Sequence, residues 1–176
     1  MKKVLKFFCV LLLAFFITGC GSNELQNDDP INEGQEYTKK EFSLKGLNIT
    51  MSDDMKEATM AGYDAFLESE DYALALVKED FEDFKSIDVE IDENSSVKEY
   101  MEFVLNANEL DGKIIEKNNL TYVQYTKNIN SNDFFYMVFA YKSDDAFWIV
   151  NLMCFEEDRF EAEPIFIEWA KSVNFD

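Results

Sequence analysis

Residues 134–155 read FFYMVFAYKSDDAFWIVNLMCF, and this stretch decides the fold. Two apolar runs, 134–141 and Ala146–Phe155, flank the polar turn Ser143-Asp144-Asp145, so the segment is a hairpin and its strands are antiparallel. Successive side chains of a strand point to opposite faces. In the first run one face carries Phe134, Tyr136, Val138 and Ala140, and the other carries Phe135, Met137, Phe139 and Tyr141. The second run sets Trp148, Val150 and Leu152 against Phe147, Ile149 and Met153. An antiparallel sheet with one wet face alternates apolar with polar residues; this one is apolar on both, so both faces need cover.

Two segments supply helical cover. Ser96-Val97-Lys98-Glu99 is a capping box, and Val97, Tyr100, Met101, Val104 and Leu105 follow as one helical stripe, with a stop expected near Asp111-Gly112. Pro164 suits the first turn of a final helix whose apolar side is Ile165, Phe166, Trp169, Ala170 and Val173. Further strands are expected at 41–51, paired around Gly46, and at Ala65–Glu68 and 72–77, joined by Glu70-Asp71. Two more, 113–116 and 120–126, turn at Asn118-Asn119, and a polar loop spans 127–133. Residues 52–63 fit neither period well, and Phe81 and Phe84 fall in an acidic connection running to Asn94. The expected class is α+β, a three-layer α/β/α sandwich around a mainly antiparallel sheet.

The N-terminal end carries an address. Lys2, Lys3 and Lys6 precede the apolar run 7–17, which is shorter than the roughly 20 residues a membrane span needs and normal for a signal peptide. It ends in Ile17-Thr18-Gly19-Cys20, which resembles the lipobox of bacterial lipoprotein precursors. The resemblance implies cleavage between Gly19 and Cys20 and a diacylglyceryl group on the Cys20 thiol, hence a chain anchored by lipid to the cell membrane on its extracytoplasmic face. The expected division is 1–19 signal peptide, 20–40 lipidated cysteine and polar tether, and 41–176 a single domain. Too polar to bury a core, a tether of that length has an rms reach of about 25 Å.

All of the net charge of −20 falls in 41–176, which holds 31 acidic and 11 basic residues. Such a surface repels phosphate backbones and anionic lipid, so no nucleic-acid partner is expected. The acidity either keeps an exported chain soluble or guides a cation or a basic protein. Of three cysteines, Cys9 leaves with the signal and Cys20 takes lipid, so Cys154 has no intramolecular partner. Its neighbours Phe155, Glu156 and Glu157 do not favour a thiolate.

There is no histidine, which removes His-based triads, the commonest general base and the His-containing zinc sets. Nucleotide-binding glycine motifs and the Gly-x-Ser-x-Gly elbow are absent too. The expectation is a non-enzyme with no cofactor beyond the lipid. The expected role is a protein- or peptide-binding module, with a small-molecule or divalent-cation (calcium) binding protein as the alternative. For calcium, Asp88-x-Glu90-x-Asp92 has the alternation of a calcium loop without its glycine or distal glutamate. The same residues read as the solvated face of a strand whose Ile87, Val89 and Ile91 turn inward. Aromatic candidates for a binding groove between the sheet and the last helix are Trp148, Phe160 and Trp169.

One resemblance spans most of 41–176. Phe42-Ser43-Leu44-Lys45-Gly46-Leu47-Asn48-Ile49-Thr50, the mid-chain helix, Asp144-Asp145-Ala146-Phe147-Trp148-Ile149-Val150 and a closing Phe166-x-x-Trp169-Ala170-x-Ser172-Val173-x-Phe175 follow in order. Together they resemble bacterial lipoproteins of the PsbP-like fold, named for the extrinsic subunit of photosystem II. The resemblance implies a domain that binds a protein partner or an ion without catalysis. It carries over no binding residue and no oxygen-evolving role.

Overall fold

The computed structural model describes residues 38–87 and 89–176. The signal peptide, Cys20 and the tether up to residue 37 lie outside the described residues, as does Asp88. In chain order the strands are β1 (Lys39–Leu44), β2 (Leu47–Ser52), β3 (Lys56–Ala58), β4 (Ala65–Glu68), β5 (Ala73–Asp80), β6 (Ile115–Lys117), β7 (Leu120–Ile129), β8 (Asn132–Lys142), β9 (Ala146–Phe155) and β10 (Asn174–Phe175). The helices are α1 (Phe81–Phe84), α2 (Val97–Ala107) and α3 (Arg159–Lys171).

The β8–β9 hairpin lies inside a sheet ordered β3-β4-β5-β9-β8-β7-β6, antiparallel at every pairing. Every residue of β9 from Ala146 to Cys154 is buried, as its two apolar faces require. On one face Phe135, Met137, Phe139, Trp148, Val150 and Leu152 share a core with Ile49 and Met51 of β2 and with Phe166 and Trp169 of α3. On the other, Val138, Ala140, Phe147 and Ile149 pack against Tyr100, Met101, Val104 and Leu105 of α2. Full burial of each such side chain contributes about 1.5–3 kcal/mol. The result is the expected α+β three-layer sandwich, with a second sheet β1-β2-β10 sharing the cover of the α3 face.

Hairpin turns fix the registers. Lys45-Gly46, Asn118-Asn119 and Asn130-Ser131 each have positive φ at both positions, the signature of the two-residue turn whose twist matches a sheet. The Asn130-Ser131 turn corrects the expected polar loop at 127–133. Those residues are paired strand ends, where the Asn128 amide donates to Asp133 across the ladder (2.7 Å) in place of an apolar pair.

Other boundaries move for local reasons. The capping box forms as expected: Glu99 N–H donates to Ser96 Oγ, and Ser96 N–H to the Glu99 carboxylate. Helix α2 stops at Ala107, short of Asp111-Gly112, because the Asn108 side chain donates to Val104 C=O and Glu109 turns to φ 53°. Pro164 sits inside α3 and not in its first turn, because the 3₁₀ turn Glu156–Asp158 runs directly into Arg159. Its missing N–H leaves the Phe160 carbonyl without an intrahelical donor. Residues 52–63 hold the short strand β3, and Phe81 and Phe84 are buried on α1 with their rings edge-on to Phe147. β1 begins at Lys39, inside the segment expected as tether, and the Lys39 ammonium pairs with Glu168 of α3.

Candidate functional site

Where β9 leaves the sheet and turns into α3, apolar side chains reach solvent. Phe155, the last residue of β9, stacks on Phe134 of β8 (ring centroids 5.0 Å) yet remains 36% exposed. Five residues on, Phe160 is 88% exposed. Helix periodicity explains it: Ala162, Phe166, Trp169 and Ala170 form the buried stripe of α3, and position 160 projects from the opposite side. Pro164, one turn later on the same side, is exposed as well.

Two clefts flank Phe155. One, of about 110 Å³, has Tyr72, Phe134, Met153 and Phe155 as apolar lining and Glu68, Glu70 and Asp71 along the β4–β5 turn. The other runs from the β7–β8 turn to the 3₁₀ turn and is lined by Asp133, Glu156 and Glu157. Among the described residues no lysine or arginine lines either cleft. The adjacent Arg159 lays its guanidinium over the Phe135 ring (4.7 Å) and bonds Glu156 (3.4 Å). Cys154 lines the first cleft but is buried, and that burial, followed by Asp158 and Glu156, pushes its thiol up to about 12. It is therefore a packing residue, inert as a nucleophile near neutral pH.

Of the three aromatic candidates, only Phe160 reaches the surface. Trp148 is buried: Phe175 of β10 covers it (5.4 Å), its indole N–H donates to Ser143 Oγ (2.9 Å), and the Lys78 ammonium lies 5.2 Å from the ring. Trp169 is buried edge-on to Tyr72 (5.4 Å). Tyr72 covers Trp169 on the helix side, whereas Trp148 and Phe175 line a cleft of about 340 Å³ with Lys78, Lys142 and Asp145 at the β8–β9 turn. Phe155 had the opposite fate: its place in an apolar run marks it for the interior, and its only outward signal is the abrupt start of Glu156-Glu157-Asp158.

Among the described residues the acidic candidates Glu90 and Asp92 form no shared site. No strand forms over 87–92 among the described residues. Instead Asp92 accepts from Asn94 N–H (2.8 Å) and Ser95 N–H (3.1 Å), and these bonds, Asn94 first, hold its carboxyl below the usual range. The side chain builds the turn that leads into α2. Lys142 secures that turn to β8, donating to Glu93 C=O (2.7 Å) and Ser95 C=O (2.9 Å), a tie invisible in local sequence. Glu90 is exposed, Ile91 is buried, and Asp88 lies outside the described residues. Among the described residues no group of three or more His, Cys, Asp or Glu is placed to hold a metal ion. Elsewhere, Tyr100 donates to the buried Glu79 (2.6 Å) and stacks on Phe147 (4.3 Å), a contact internal to the α2 core. No helix among the described residues is long and apolar enough to cross a membrane.

Comparison with solved structures places this architecture. The cyanobacterial PsbP protein of Synechocystis sp. PCC 6803 superposes with a TM-score of 0.55 at 11% identity, covering 91% of this chain and 99% of its own. The fold is thus PsbP-like, an α+β sandwich. LpqN of Mycobacterium tuberculosis, described as involved in cell envelope biogenesis, matches with a TM-score of 0.43 at 9% identity, over 79% of this chain and 91% of its own. No protein-family profile and no curated protein matches the chain. At these identities the likeness concerns fold alone.

Proposed function

We propose that the chain is a non-catalytic module that binds a protein or peptide partner while held by lipid on Cys20 at the extracytoplasmic face of the cell membrane. The observation that carries this reading is the corner formed by Phe155 and Phe160. Scattered single hydrophobes on a surface are ordinary, but Phe155 lines an apolar cleft and Phe160, five residues on, is exposed as well, the kind of surface that partners cover. The absence of histidine and of nucleotide or nucleophile motifs supports a binding role over catalysis. The lipobox-like Ile17-Thr18-Gly19-Cys20 supports the anchor. Nineteen residue steps separate Cys20 from Lys39, so even fully extended they keep β1 within about 65 Å of the lipid.

The test is a membrane-impermeant, amine-reactive crosslinker applied to intact cells that express the full chain. A discrete adduct larger than the monomer is expected, and Cys20→Ala should abolish both that adduct and recovery in the membrane fraction. Recovery of monomer alone at every linker length would contradict the reading.

A further inference from the structure

We infer that the corner between β9 and α3 docks a protein segment in which an apolar side chain is flanked by lysine or arginine. The inference rests on the protein-binding role proposed above and specifies the chemistry of the partner. The apolar element of the match is Phe155 and the cleft it forms with Tyr72, Phe134 and Met153, with Phe160 exposed beyond it. The electrostatic element is the lining of the two clefts, which among the described residues holds six carboxylates and no base. Glu156 is paired with the adjacent Arg159, and the other five have no lysine or arginine beside them in the lining. Phe155 lines both clefts, so a cation seated beside it lies at the junction of the two acidic linings, where charges act over about 8 Å at physiological ionic strength. Exposed phenylalanine rings add a face on which a guanidinium can lie.

Charge also selects among occupants. A second copy of this chain brings the same net −20 and the same acidic corner, and repels it. An anionic lipid surface or a nucleic acid is repelled for the same reason. The lysines at the far end of the sheet do not offset the corner. Lys78 is held by Asp80 (3.0 Å) and Asp145 (2.7 Å), and Lys142 by two backbone carbonyls. The match is therefore to a basic segment with an apolar anchor, supplied by another protein.

The experiment uses the full lipidated chain in vesicles of neutral phosphatidylcholine and a fluorescent dodecapeptide carrying a central leucine among lysines. Two control peptides replace the leucine with serine or the lysines with glutamate. Anisotropy should show the basic, leucine-bearing peptide binding at least about tenfold tighter than either control. Phe160→Ser, whose side chain makes little contact in the fold, should weaken it about tenfold with an unchanged melting temperature. Glu70→Lys with Glu157→Lys, one residue from each cleft, should weaken it similarly and flatten its salt dependence. Glu102→Lys with Asp111→Lys, the same change of charge beside α2, should stay within about twofold of the parent. Equal binding of the serine peptide, equal loss in the α2 variant, or no binding would each overturn the inference. An adduct formed in intact cells alongside any of those results would leave the binding role standing and move the surface elsewhere.

Discussion

Asn151 is buried in the middle of β9, paired in register with Ala75 and Val138, and neither the nitrogen nor the oxygen of its carboxamide has a hydrogen-bond partner. The Tyr136 hydroxyl, on the same face of the sheet, is buried and unpartnered too. A buried polar group left unpaired costs about 1–3 kcal/mol. Asn151→Val, which restores an apolar and β-branched side chain to a central strand, should therefore raise stability by about 1–2 kcal/mol, read as a higher melting temperature. A lower one would show that the carboxamide is satisfied in solution. Single residues were also where sequence patterns misled. Asp92 and Glu90 alternate with Val89 and Ile91 as a strand face would, yet the Asx-type bonds of Asp92 to Asn94 and Ser95 turn the chain toward α2 instead. Trp169 looks like a groove aromatic until Tyr72, distant in sequence, is seen to cover it, and Trp148 lies beside Phe175 in the wall of a cleft at the other end of the sheet.

At the scale of elements, residues with strong local chemistry were readable. The capping box of α2, the Asn118-Asn119 turn and the doubly apolar hairpin of 134–155 each state their structure within a few residues. What escaped was decided across strands or by continuity between elements. Residues 127–133 are polar because they end an exposed ladder, and the 3₁₀ turn extends α3 backward past Pro164. The β7–β8 turn offers a test. Ser131 sits at φ 71°, where a Cβ is disfavoured, and the Asn-Gly pair is the preferred occupant of this turn type. Ser131→Gly should stabilise the domain by about 0.5–1 kcal/mol, measured by urea denaturation with an unchanged slope. Destabilisation would mean that the Ser131 side chain makes a compensating contact.

For the whole molecule, burial of phenols predicts how the domain fails in base. Burial raises Tyr136 from its ordinary value of 10 to about 12. Tyr125 and Tyr141 are raised further by burial, and Tyr100 is held well above its ordinary value by burial, with Glu79 adding to the effect. In the unfolded chain these phenols ionise near 10, so above that pH the unfolded state holds fewer protons and stability falls. The contribution is complete below pH 10 and is lost as pH rises toward 12 and beyond, at about 1.4 kcal/mol per pH unit for each phenol still protonated in the fold. The absorbance change of tyrosinate at 295 nm should coincide with loss of circular dichroism in that window. Titration of these four phenols near pH 10 in a chain still folded would contradict the packing of both faces.

The acidic, phenylalanine-tipped corner stands out on a fold that, among the described residues, exposes no other large hydrophobic side chain. The role proposed for it, as the partner-facing surface, is tested most directly by a photoreactive phenylalanine analogue placed in intact cells at position 160, and separately at position 102 on the outer side of α2. Illumination should give a discrete adduct from position 160 and none from position 102. Adducts from position 102 alone, or from neither, would contradict it.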